Sequence, residues 1–235
     1  MQPRMIQTRT PRKIDPQSSR EPALKPSRKL GRQSAEVADQ TKQEIIQAAL
    51  NEFARTGFEA ASMRDIAANA ATTHGLIRHH FGSKEGVWQA VVNHAVLQYT
   101  RALEAQLEQS KRKPADPSQA LRGLMRSQLM VSATRPEVAR LLMREGVEGG
   151  SRLDYILEQL LKSQSQIVPL LLEVQQQGQL KQFDPPMFLL FLLLMGDGPL
   201  ALPALVKAMT GHDVQSPAFL ERHIATLTET LLPTK

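Results

Sequence analysis

Cysteine is absent from the 235-residue chain. That removes disulfides, thiolate nucleophiles and Cys-ligated zinc together, and fits a reducing compartment. Aromatics are only 4% of residues, with one Trp and two Tyr, so they and the nine Met read as core filling rather than a cofactor box. No G-x-S-x-G elbow, phosphate-cradling Gly-rich loop or HExxH occurs. The expectation is therefore a non-enzyme that carries no cofactor. Strand-like alternation and internal repeats are also missing. Long apolar runs are scarce: the charge-free stretch from Met187 to Met195 spans only about 14 Å as helix, against about 30 Å of bilayer hydrocarbon. Asp197, Gly198, Pro199 and Pro203 interrupt its continuation, so no membrane span is expected. The charged N-terminal segment leads into no apolar h-region, which argues against a secretory signal.

Charge is unevenly distributed. Residues 1–35 hold nine Lys or Arg against two acids, a balance of +7, while the remaining 200 residues hold 20 basic and 21 acidic side chains. Pro, Ser and Gln are frequent in the basic segment and periodic apolar residues are rare. Residues 1–36 are therefore expected to be a disordered basic arm. Two readings of it stay open: an arm that tracks DNA phosphates or enters a minor groove, or a solvated tail, with Met5 as a second possible start.

The most informative stretch runs from Ser62 to Gly86, SMRDIAANAATTHGLIRHHFGSKEG. Ser62 with Asp65 three residues on is a capping box at a helix start. Ile66, Ala67 and Ala70 give that helix an apolar face. Thr73 supplies a second N-cap, and Leu76, Ile77 and Phe81 can bury the next short helix against the first. Gly82 ends it, and Ser83 caps a third. The spacing predicts a helix-turn-helix, with His74, Arg78, His79 and His80 left for another surface. Three histidines at 74, 79 and 80 do not suggest a metal site, because positions five and six along a helix share the first one's face poorly and no carboxylate or Cys stands at ligand spacing.

This order of residues resembles the TetR family of bacterial transcription regulators. The likeness reaches back to Thr41, Ile45, Ile46, Ala48, Ala49, Phe53, Gly57 and Phe58, where the family carries its first helix and its Gly-aromatic turn, and closes with Gly82-Ser83-Lys84-Glu85. It covers residues 41–88, about a fifth of the chain. Two positions depart from the family: Ala71 stands where Gly is usual, and Arg78 where an aromatic, commonly Tyr, is usual. Ala fits the turn without strain if its φ is negative. Arg at 78 can still reach a phosphate, with charge added.

Beyond the head the pattern is helical throughout: about Ser83–Gln109, Pro117–Ala133, Pro136–Val147, one longer helix from about Leu153 to Gln177 interrupted at Pro169, an apolar segment from Pro185 to Met209, and a last helix from Pro217 to about Leu232. The expected fold is all-α. A helix-turn-helix DNA-binding domain over 37–88 precedes a helical effector-binding and dimerisation domain over 89–235. The resemblance implies a homodimer through about 185–209 and 217–232, and these are also the segments with most apolar surface to cover.

A two-fold dimer reads a palindromic operator in double-stranded DNA. Thr72, Thr73, His74 and Leu76 are the expected base readers. Arg78, His79, His80 and Lys84 are expected on phosphates, with Ser62 and Met63 offering backbone amides at a helix start. The resemblance further implies an unknown small-molecule effector, in a pocket for which Met125, Leu129, Met143, Arg144, Tyr155 and Gln159 are the candidates. Arg144 or Arg122 is suited to an anionic group. The functional expectation is a ligand-responsive repressor, cytoplasmic and bacterial, on the nucleoid when DNA-bound. A sequence-tolerant architectural DNA-binding protein and a helical enzyme are the alternatives.

Overall fold

The computed structural model describes residues 28–112, 116–163, 167–178, 180 and 184–233. Every regular element among them is a helix: α1 (Arg28–Thr56), α2 (Met63–Asn69), α3 (His74–Phe81), α4 (Lys84–Arg112), α5 (Pro117–Thr134), α6 (Pro136–Glu148), α7 (Ser151–Ser163), α8 (Ile167–Gln176), α9 (Pro185–Phe191), a π-helical turn (Leu192–Asp197), α10 (Gly198–Ala201), α11 (Pro203–Thr210) and α12 (Pro217–Leu231). The chain divides into a unit Met1–Ala38 and a unit Asp39–Lys235. In the first, residues 28–38 are described and are helical. The helix thus starts inside the segment expected to be a disordered arm, and residues 1–27 lie outside the described ones.

The second unit holds two apolar cores. One joins Ile45, Phe53, Ile66, Ile77 and Trp88, all with no exposed surface, to Leu141 of α6 and Ile156 of α7. The other gathers Leu121, Leu124 and Leu129 of α5 with Leu171, Phe188 and Leu227. α5 is its axis, packed against α4, α8, α12 and the π turn. The local signals act as expected. Gly57 at φ +82° ends α1, its N–H bonded to the Phe53 carbonyl at 2.9 Å. Gly149 and Gly150, both at positive φ, separate α6 from α7.

The long helix expected from Leu153 to Gln177 is described in two stretches, α7 and α8, with residues 164–166 between them outside the described ones. One expectation is corrected: the segment 185–209 is not one rod. Its backbone widens into the π turn at Leu192–Asp197 and bends by 83° between Pro185–Ala201 and Pro203–Thr210. No single described helix is long and apolar enough to cross a membrane.

Candidate nucleic-acid interface and ligand cavity

The capping side chains set the geometry of the head. The Ser62 hydroxyl accepts the Asp65 N–H at 3.3 Å, and the Thr73 hydroxyl accepts the Leu76 N–H at 3.2 Å. Each fixes the start of one short helix and satisfies a donor that the helix itself leaves free. Ile66 and Ile77 are fully buried between α2 and α3. With Ile77 turned inward, Thr73, His74, Arg78 and His79 are exposed, Leu76 keeps 37% of its surface, and Thr72 and His80 are half-buried. Ser62 and Met63 are half-buried too, Met63 packing on the head's core.

Lys84 is placed differently from a free phosphate ligand. Its Nζ donates to the Glu59 carbonyl at 3.0 Å and lies 4.8 Å from the Phe58 ring centre, fastening the start of α4 to the α1–α2 turn. Arg64, exposed in the first turn of α2, is a cation that sequence reasoning passed over; its place inside the capping turn was the available signal. Ala71 has φ +48°. The turn is left-handed there, so the alanine is strained where glycine would not be, and the condition of negative φ is not met.

Below the head, a cavity of about 350 Å³, partly open to solvent, lies between α4 to α7 and the segment from α9 to the π turn. Its walls are mainly Val, Leu, Ile and Ala. Polar groups meet at one corner. The Tyr99 hydroxyl donates to Gln128 Oε1 at 3.0 Å, and Gln128 Nε2 donates to Asp197 Oδ2 at 3.4 Å. Asp197 Oδ1 is buried without a hydrogen-bond partner. Burial pushes the Asp197 carboxyl up to about 6, partly offset by hydrogen bonding from Ser132 and Gln128.

None of the six expected pocket residues lines this cavity. Met125 and Leu129 are packed in the second core. The Tyr155 hydroxyl donates to Asn93 Oδ1 at 2.8 Å, and its ring packs on Trp88. Arg144 pairs with Glu148 at 3.3 Å and covers Gly57. Met143 and Gln159 are half-buried elsewhere. Four of them miss by one residue, since Gln128, Leu142, Ile156 and Leu160 do line it. One residue is about 100° around a helix, enough to exchange the wall for the core. Arg122 is also turned away, bonded to the Leu232 carbonyl and 3.8 Å from Glu229.

Cavity and head share structure. Leu141 and Ile156 belong to the head's core and also line the cavity. Polar contacts reinforce this junction. Arg152 of α7 reaches Glu145 at 3.1 Å, Glu59 at 3.4 Å and Glu148 at 3.4 Å, and its guanidinium stands over the Phe58 ring at 4.4 Å.

A helix-turn-helix head on a helical body with a largely apolar cavity defines a DNA-binding regulator. The family description of bacterial regulatory proteins of the tetR family matches residues 45–91, and that of the YcdC-like protein C-terminal region matches residues 97–234. The chain belongs to the TetR family of transcription regulators, which are not enzymes. It is 32% identical over 116 residues to the transcriptional repressor NicS of Pseudomonas putida, covering 49% of this chain and 53% of NicS. The chain thus spans about half the length of that relative. It is 28% identical over 180 residues to the transcriptional repressor SCO4008 of Streptomyces coelicolor, covering 76% of this chain and 88% of that one. Its fold is similar to that of AibR solved with isovaleryl coenzyme A and operator DNA, with a TM-score of 0.63 and 20% identity over 83% of this chain and all of that one.

Proposed function

We propose that this regulator is a homodimeric repressor that binds a palindromic operator through α3 and leaves it when a small molecule fills the cavity. The observation that carries the reading is that Leu141 and Ile156 are common to the head's core and the cavity wall. A ligand that moves α6 or α7 therefore cannot leave the seat of the α1–α2 turn untouched. It lowers DNA affinity by the difference in its own affinity for the two arrangements. AibR, solved with both isovaleryl coenzyme A and operator DNA, supports a body of this shape serving both ligands.

Dimerisation through about 185–209 and 217–232 is supported by the apolar surface that α9 to α11 leave uncovered. Met187, Leu190, Leu194, Leu202, Leu205 and Met209 are each at least 42% exposed. Monomeric proteins rarely leave so many large apolar side chains of one short segment in water. In the major groove, Thr73, His74 and Leu76 face base edges, and Arg78, His79 and His80 face phosphates.

Capture of genomic fragments with the purified chain, followed by sequencing, tests this reading. A recovered palindrome, with sedimentation at twice the chain mass, is expected. His74→Ala then changes sequence preference, while His80→Ala lowers affinity across sequences. Retention of random DNA as well as any recovered site would favour an architectural role, and a monomer at micromolar concentration would remove the dimer.

A further inference from the structure

The cavity is apolar except at one place, and that place is a carboxylate. The π turn delivers it. A π turn carries one residue more than an α turn, and here it ends on Asp197. Gly196 lets the widened backbone sit close to α5 and α12, since a Cβ there would lie 2.8 Å from Leu129 and 3.2 Å from Leu227. His223 of α12 bonds the Gly196 carbonyl at 2.8 Å from the other side, so the turn is held at both faces. Asp197 Oδ2 receives the Gln128 amide, the Ser132 hydroxyl also supports the carboxylate, and Oδ1 has no hydrogen-bond partner of its own. No Lys, Arg or His lines the cavity, so no countercharge in its wall meets that carboxylate. A desolvated carboxylate is costly until a cation or strong donor meets it.

We propose that the cavity selects an apolar molecule bearing a single protonated amine, whose ammonium group binds the Asp197 carboxylate while its hydrocarbon lies among the Val and Leu side chains of α4, α6 and α7. The proposal rests on the effector reading above and gives that effector a chemical class. It reverses the charge expected from sequence, because Arg144 and Arg122 are engaged outside the cavity. A volume of about 350 Å³ suits a ligand of modest size.

The test is calorimetric titration at about pH 7.5 of the full chain with three probes of nearly equal shape: phenylbutylamine, phenylbutanol and phenylbutanoate. The amine is expected to bind at least about tenfold more tightly than either of the others, the worth of one charge-assisted hydrogen bond. Asp197→Asn should bring the amine down to the level of the alcohol. Equal binding of all three by the native chain overturns the proposal without any variant, as do binding of none and preference for the acid. Operator release in a gel-shift titration separates the two readings. An amine that binds with the stated selectivity yet leaves the operator complex intact upholds the cation site and removes the effector role. Release by the alcohol or the acid at least as effective as by the amine upholds the effector role and removes the cation site.

Discussion

Arg152 holds its guanidinium 4.4 Å from the centre of the Phe58 ring, so a side chain of α7 seats the turn that ends the first helix of the head. Its Nε is also 3.1 Å from Glu145, a carboxylate only 1% exposed. Removing Arg152 leaves that charge buried and unpaired. Breaking such a pair costs about 3–5 kcal/mol when both partners are buried. Arg152 keeps 19% of its side chain in water, which favours the lower end. Arg152→Ala should thus lower the melting temperature by about 5–10 °C. Adding Glu145→Gln to that variant should restore most of the loss, because the stranded charge is then gone. If the double variant is no more stable than the single one, the buried charge is not the cause.

The head was legible because its signals are local. Ser62, Thr73 and Ser83 cap helices within four residues, and Gly57 and Gly82 end them, so spacing alone marked the turns between α1 and α4, while the start of α1 at Arg28 carries no such signal. The cavity was not legible for the opposite reason. Whether Met143 or Leu142 faces it depends on how α6 is rotated against α4 and α7, and both are apolar, so periodicity gives the stripe but not which edge borders a void. Asp197 was visible as an interruption of an apolar run. Its role depends on a π turn, which no capping residue or period announces. Ala71 shows a further limit, since the residue that usually marks a left-handed turn is missing while the turn remains.

At that turn, Ala71 has φ +48°. An alanine pays about 1–2 kcal/mol in the left-handed region, while glycine adds freedom to the unfolded chain worth about 0.4–1 kcal/mol. The difference favours Ala71→Gly by about 0.5–1 kcal/mol, or a few degrees in the melting temperature. Ala71→Val, β-branched, should move it the other way. Thermal melts of the two variants beside the native chain check the order, and a less stable glycine variant would contradict the strain.

Gly86 lies in the first turn of α4, where a Cβ would fall 2.0 Å from the Phe81 carbonyl oxygen. Backbone cannot swing aside as a side chain can. Gly86→Ala must therefore displace the end of α3 from the start of α4, at a cost of about 2–3 kcal/mol. The displacement falls on the helix offered to DNA. Operator affinity measured well below the melting temperature should drop by more than the folded fraction explains. Unchanged affinity in a fully folded variant would place that junction outside the binding geometry.

Asp197 makes stability depend on pH with a definite sign. Its folded pKa, pushed up to about 6, exceeds the ordinary 3.8, so the folded chain binds this proton more tightly than the unfolded one. The associated stability is fully present below about pH 4, falls as pH rises through about 6, and is absent above. The difference amounts to something on the order of 3 kcal/mol. Tyr99 is the other titratable side chain lining the cavity, and His223 contacts the turn through the Gly196 carbonyl. Both remain in Asp197→Asn, so comparing the two proteins isolates the carboxylate. Urea unfolding at several pH values should show Asp197→Asn lacking the decline between about pH 4 and 6 and standing above the native chain near neutrality. Parallel curves for the two proteins would mean that the carboxylate is solvated, and the same result would take away the desolvation on which ammonium binding depends.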